Sequence, residues 1–164
     1  YGGTAMTSIG TDWPSSSTGR AYLFGLVNPP TGLADVVVTA SAATAALDAV
    51  SSSWCNVHQT TSLGTAVTAN SNGATSSSLA VTSALDDMVV DSLWASTGGG
   101  TITVGTGQTL LAETRDGGSA QRRNTSSYEA GATSVTMSHS WPTSTFYAHI
   151  AVALKPAVAG PNGP

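Results

Sequence analysis

Phe146-Tyr147-Ala148-His149-Ile150-Ala151-Val152-Ala153-Leu154 is the stretch that decides the fold. Phe146, Ala148, Ile150, Val152 and Leu154 recur at every second position. That is the period of a β-strand with one face turned inward. The unbroken apolar part, residues 150–154, is strand-sized, far below the roughly 18 to 20 apolar residues of a membrane span.

The same rhythm runs outward from this segment. Val135 and Met137 mark a strand that ends near Trp141-Pro142. Residues 109–115 and 121–129 flank Asp116-Gly117-Gly118, a tight hairpin signal. In residues 88–94, Met88, Val90 and Trp94 share one face, with Asp91 and Leu93 on the other. Ala84-Leu85-Asp86-Asp87 reads as the turn leading into that strand. A short strand is expected over 101–104 within a Gly/Thr-rich loop.

Leu79 and Val81 mark a further strand. Residues 65–69 form another, followed by a turn at Asn70-Ser71-Asn72-Gly73. Tyr22, Phe24 and Leu26 alternate. Asn28-Pro29-Pro30-Thr31-Gly32 breaks the chain, because proline removes donors and glycine permits positive φ. Residues 34–40 read as a Val-rich strand and residues 47–57 as one long strand. Residues 42–50 are the best helical candidate and equally fit a buried small-residue strand. About ten short strands with turns every 8 to 12 residues or so indicate an all-β fold. We expect one antiparallel β-sandwich, jelly-roll or lectin-like, over residues 1–156, with a Pro/Gly-rich tail at 157–164.

Charged residues make up only 9% of the 164-residue chain, against roughly 25% in an ordinary soluble domain. Ser and Thr supply the polarity. Hydrophobic residues reach 40%, so the chain is not a disordered polar segment. The net charge of −4 and the isolated basic group Arg115, Arg122 and Arg123 argue against nucleic acid. Cys55 is the single cysteine. Its apolar neighbours suggest a buried thiol acting as a small hydrophobe.

Candidate chemistry is sparse. No G-x-S-x-G elbow accompanies His58, His139 or His149. His139 and His149 fall on neighbouring expected strands and could face each other. Two histidines without a third ligand make a poor zinc site. Asp86-Asp87 reads as a turn, since a calcium site there needs several more oxygens. The glycines at 98–100 lack the lysine and helix of a phosphate loop. We expect no catalytic residue, metal or cofactor. The four tryptophans default to core packing. The alternative is a sugar-stacking platform, for which Trp13, Trp94 and Tyr128 are the candidate glycan contacts.

Several motifs, taken in order, carry a resemblance. They are Asn28-Pro29-Pro30-Thr31-Gly32 with Ala34-Asp35-Val36-Val37-Val38-Thr39, then Val57-His58-Gln59-Thr60-Thr61-Ser62-Leu63-Gly64. Asp87-Met88-Val89-Val90-Asp91 and Gly107-Gln108-Thr109-Leu110-Leu111-Ala112-Glu113 follow. The last is Ala148-His149-Ile150-Ala151-Val152-Ala153-Leu154-Lys155-Pro156. The chain resembles a family of β-sandwich domains found in phage structural proteins and bacterial surface proteins. His58 departs from it, standing where the family usually has an acid.

The resemblance implies a structural protein of a virion, a capsid decoration or a tail or fibre component on the virion's outer surface. Such a protein acts through contacts with other virion or surface proteins and by self-association, without nucleic acid or membrane insertion. It also implies that one or two strands normally precede Tyr1, so residues 1–9 should border an open strand position. The alternative is a carbohydrate-binding or adhesion module on a virion or bacterial surface.

Overall fold

The computed structural model describes residues 1–44, 46–98, 100–116 and 122–157. These form eight strands and no helix: β1 (Thr7–Asp12), β2 (Ala21–Gly25), β3 (Val67–Thr82), β4 (Met88–Ala95), β5 (Thr103–Val104), β6 (Thr109–Arg115), β7 (Arg123–Ala130) and β8 (Ser134–Leu154). Strands β1 and β2 make a two-stranded antiparallel ribbon. The other six form one antiparallel sheet in the order β3-β8-β4-β7-β6, with β5 also on β8. The arrangement is consistent with a β-sandwich.

Two long strands, β3 and β8, fold this sheet over itself. Their pairing runs from Val67↔Ala151 to Ser71↔Tyr147, shifts at Ala74↔Thr145, and resumes from Ser76↔Ser140 to Thr82↔Ser134. From Ala74 to Ser76 is two residues, whereas their partners Thr145 and Ser140 lie five apart. The extra β8 residues include Pro142, which has no N–H to donate. Trp141 pins the corner, its Nε1 donating to the Ala74 carbonyl at 2.8 Å. A straight strand would hold His139 and His149 roughly 33 Å apart at ~3.3 Å per residue. Their ring centroids are 5.0 Å apart.

Folding over creates a core between the two halves. Leu79, Val81, Val135 and Met137 from one side pack with Val89, Ala151 and Ala153 from the other. Leu93, Ala95, Trp141 and Tyr147 extend it toward the corner. The opposite face of β8, carrying Ala148 and Ile150, packs with Trp94 against Ala21 and Leu23 of the ribbon. Residues 147–153 are therefore buried on both faces. The alternating set 146, 148, 150 and so on faces the ribbon side, and the intervening residues face the main core.

The strand count is eight rather than about ten. The expected strands at 65–69 and 79–81 are one strand, β3, and the Asn70–Gly73 turn signal lies in its bent corner. The strands at 135–141 and 146–154 are likewise one, β8. No strand forms over 34–40 or 47–57, and the described residues of 42–50 are not helical. These runs have β-propensity but only isolated backbone contacts, Gly2 N–H to Asp35 O and Ala157 N–H to Asn56 O with a bridge at Val57, and propensity alone does not hold a strand in water. Cys55 is exposed, because its segment crosses the surface instead of entering the core. The turn before β4 forms as expected, with the Asp87 N–H donating to Ala84 O at 3.1 Å. The hairpin glycines 117–118 and the tail from residue 158 onward lie outside the described residues.

Candidate functional site

Asp91 stands on the inward face of β4 between Val89 and Leu93, both fully buried. The register places it opposite Ala151 of β8 and Ser127 of β7. His149 is two residues along β8 from Ala151, so it is Asp91's diagonal neighbour on the same face. His139 comes from the other half of β8, across the fold-over, with Ser77 of β3 directly opposite it. Four strands thus deliver five polar side chains into an apolar interior.

Every oxygen of Asp91 is used. Its Oδ1 accepts hydrogen bonds from the Ser127 N–H and hydroxyl, both at 2.8 Å. Its Oδ2 lies 2.7 Å from His139 Nε2 and 3.1 Å from His149 Nε2. His149 Nδ1 meets Ser77 Oγ at 2.9 Å. Ser127 Oγ also accepts from Gln108 Nε2 at 2.8 Å. The Gln108 carbonyl oxygen in turn takes the Ser138 N–H at 2.7 Å, tying the cluster to the β5–β6 loop. His139 Nδ1 is buried with no hydrogen-bond partner.

The side chains of Asp91, His139 and His149 are wholly inaccessible to solvent. Burial opposes the charge on Asp91, but the two imidazole hydrogen bonds outweigh it and hold the carboxyl at about 2, below its ordinary 3.8. Burial lowers the affinity of His149 for a proton, against the pull of Asp91. The carboxylate is therefore ionised and His149 neutral near pH 7.

Ser77, His149 and Asp91 are connected in the order of a nucleophilic triad. Ser77 is only 3% exposed, and its hydroxyl points to the same sealed interior as the histidines. A surface cleft of about 230 Å³ adjoins the cluster, lined by Ser76, Ser77, Ser78, Thr103, Val104, Gly105, Ser138, His139 and Ser140.

The three candidate glycan contacts differ in exposure. Trp94 is only 9% exposed and sits beneath Gly19, so it is core and offers no platform. Tyr128 is half-buried, with Trp54 edge-on at 5.4 Å. Trp13 is exposed, and Arg20 stacks over its ring at 4.6 Å. His58 caps a turn, its Nδ1 accepting from the N–H groups of Thr60 and Thr61.

Asp91 is the residue that sequence reasoning undervalued. The signal was present: an acid sharing a strand face with Leu93, and a histidine inside the apolar run 146–154. Ionisable residues are rarely buried without partners. Only the fold-over of β8 shows that these partners are one another. Comparison with protein-family models, curated proteins and solved structures finds no match for the chain.

Proposed function

We propose that this protein is a structural β-sandwich subunit that works through contacts with copies of itself, as in a virion shell, tail or fibre, and not through catalysis. The observation that carries this reading is the segment between β2 and β3, residues 26–66. Its described residues form no strand beyond isolated bridges at Val57 and Leu63. Leu33 is fully exposed and Val37 is 78% exposed, with Val27, Val36, Val38 and Leu47 also exposed. Apolar side chains concentrated on one arm mark a contact surface.

The same chain carries a partner for that arm. Strand β3 ends the sheet, so one edge has no strand neighbour among the described residues. Its sixteen residues include no charge and no proline, the devices that normally blunt an edge. An extended Ala-Asp-Val-Val-Val-Thr-Ala arm and an open Ser/Thr-rich edge are complementary by strand addition. That self-complementarity favours a second copy as the occupant. The resemblance to phage and bacterial surface domains supplies the virion setting, on the particle's outer surface.

Mass photometry of Leu33→Asp/Val37→Asp tests this. The variant should lose oligomers that the parent chain forms while keeping its thermal midpoint, because neither side chain contributes to the core. Undiminished assembly in the variant would count against the arm.

One observation favours a second reading, a glycan-binding module. Exposed Tyr22 and Phe24 stack with ring centroids 6.2 Å apart on β2, in the same N-terminal ribbon region as exposed Trp13. Glycan-array binding abolished by Trp13→Ala or Tyr22→Ala would support it.

A further inference from the structure

We propose that Asp91, His139 and His149 form a binding site for one divalent transition-metal ion of the zinc class, held through Asp91 Oδ2 and the two imidazole Nε2 atoms. Each of these residues offers a ligand atom, and the three lie within 4.8 Å of one another. An ion with bonds of about 2.0–2.1 Å in tetrahedral geometry holds its ligand atoms roughly 3.3 Å apart. The observed separations from Oδ2, 2.7 and 3.1 Å, are short of that by a few tenths of an ångström. Small rotations of the two imidazoles open the triangle, and no strand has to move.

The surroundings orient two of the three ligands, His149 and Asp91, while His139 Nδ1 has no hydrogen-bond partner. Ligating imidazoles are oriented through their other nitrogen, and ligating carboxylates through their other oxygen. Ser77 Oγ stands 2.9 Å from His149 Nδ1. The Ser127 N–H and hydroxyl both hold Asp91 Oδ1. Two imidazoles and one carboxylate are a borderline donor set, matched to Zn²⁺ or Co²⁺. Calcium asks for six to eight oxygens, which the cluster does not supply.

Charge gives a second reason. The Asp91 carboxyl is wholly buried, and Lys155, Arg122 and Arg123 are each paired with another acid, Asp87, Asp116 and Glu113. A divalent cation compensates the buried carboxylate where those cannot.

The proton balance is simple. With the ion on Nε2, each imidazole carries its ring proton on Nδ1. At His149 that Nδ1–H donates to Ser77 Oγ. Because the ligands are sealed, the ion enters during folding and acts structurally, joining β4 to both halves of β8.

The test is to unfold the full chain in chelator, refold it with Zn²⁺ or Co²⁺, and remove unbound metal. The expected results are one ion per chain by elemental analysis, visible Co²⁺ bands of a nitrogen–oxygen site, and a thermal midpoint several degrees above that of chelator-refolded protein. X-ray absorption on the zinc form of the unaltered chain should show two imidazoles, which requires no variant to fold. His139→Gln should lose the ion and His58→Ala should keep it. Three results would each overturn the proposal: substoichiometric metal with an unchanged midpoint, a zinc spectrum lacking two imidazoles, or loss of the ion in His58→Ala.

Discussion

Replacing Asp91 by asparagine keeps the shape of the side chain and removes its charge, so it isolates what the buried carboxylate contributes. In metal-free protein, Asp91 accepts from the Ser127 N–H, the Ser127 hydroxyl and the two histidine Nε2 atoms. Depression of its pKa from 3.8 to about 2 means that the folded state prefers the charged form by about 2 kcal/mol. Asparagine forfeits that preference and aims an amide N–H at groups that are themselves donors. Each donor left without an acceptor in the core adds ~1–3 kcal/mol. The expected loss is about 2–4 kcal/mol, a large share of the ~5–15 kcal/mol that stabilises a domain. Urea unfolding in chelator, followed by tryptophan fluorescence, measures it from the shift in midpoint at constant slope. A loss below about 0.5 kcal/mol would refute the reasoning, because the cluster would then be no better served by a carboxylate than by an amide.

Three further outcomes follow from other parts of the molecule. His149 binds its proton less well folded than unfolded, so its contribution is complete above its ordinary pKa of 6.5 and declines as pH falls below that. Asp91 behaves likewise at lower pH: its contribution is present above 3.8 and is lost as pH falls toward about 2. Metal-free protein should therefore melt at progressively lower temperature on acidification from pH 7, and a midpoint flat down to pH 4 would contradict this. Gly19→Ala should destabilise the chain by about 1–3 kcal/mol, since a Cβ there would sit 2.0 Å from the Trp94 ring, and calorimetry checks it. Leu93→Ala should cost about 2–5 kcal/mol, because Leu93 is fully buried at the centre of the fold.

Period-2 alternation made much of the architecture legible. Strand β6 coincides with residues 109–115 as read from sequence, and β4 carries Asp91 and Leu93 on the face opposite Trp94, as its pattern requires. Strand continuity was not legible. Asn70-Ser71-Asn72-Gly73 and Trp141-Pro142 look like chain reversals, yet here they mark a bend through which β3 and β8 stay paired. Local sequence specifies where a strand kinks, while its partner decides whether it ends. That same bend brings His139 onto His149, so the cluster was hidden for the same reason. The Val-rich run 34–40 forms no strand for the opposite cause, since a single backbone hydrogen bond, from Gly2 N–H to Asp35 O, does not make a ladder.

Sedimentation velocity of the unaltered chain across the micromolar range tests the central claim, that this sandwich is an assembly subunit. The account predicts species at multiples of the 16.3 kDa chain mass, growing with concentration as arms find the edges of neighbouring copies. A single monomeric boundary that stays unchanged throughout the range would contradict it.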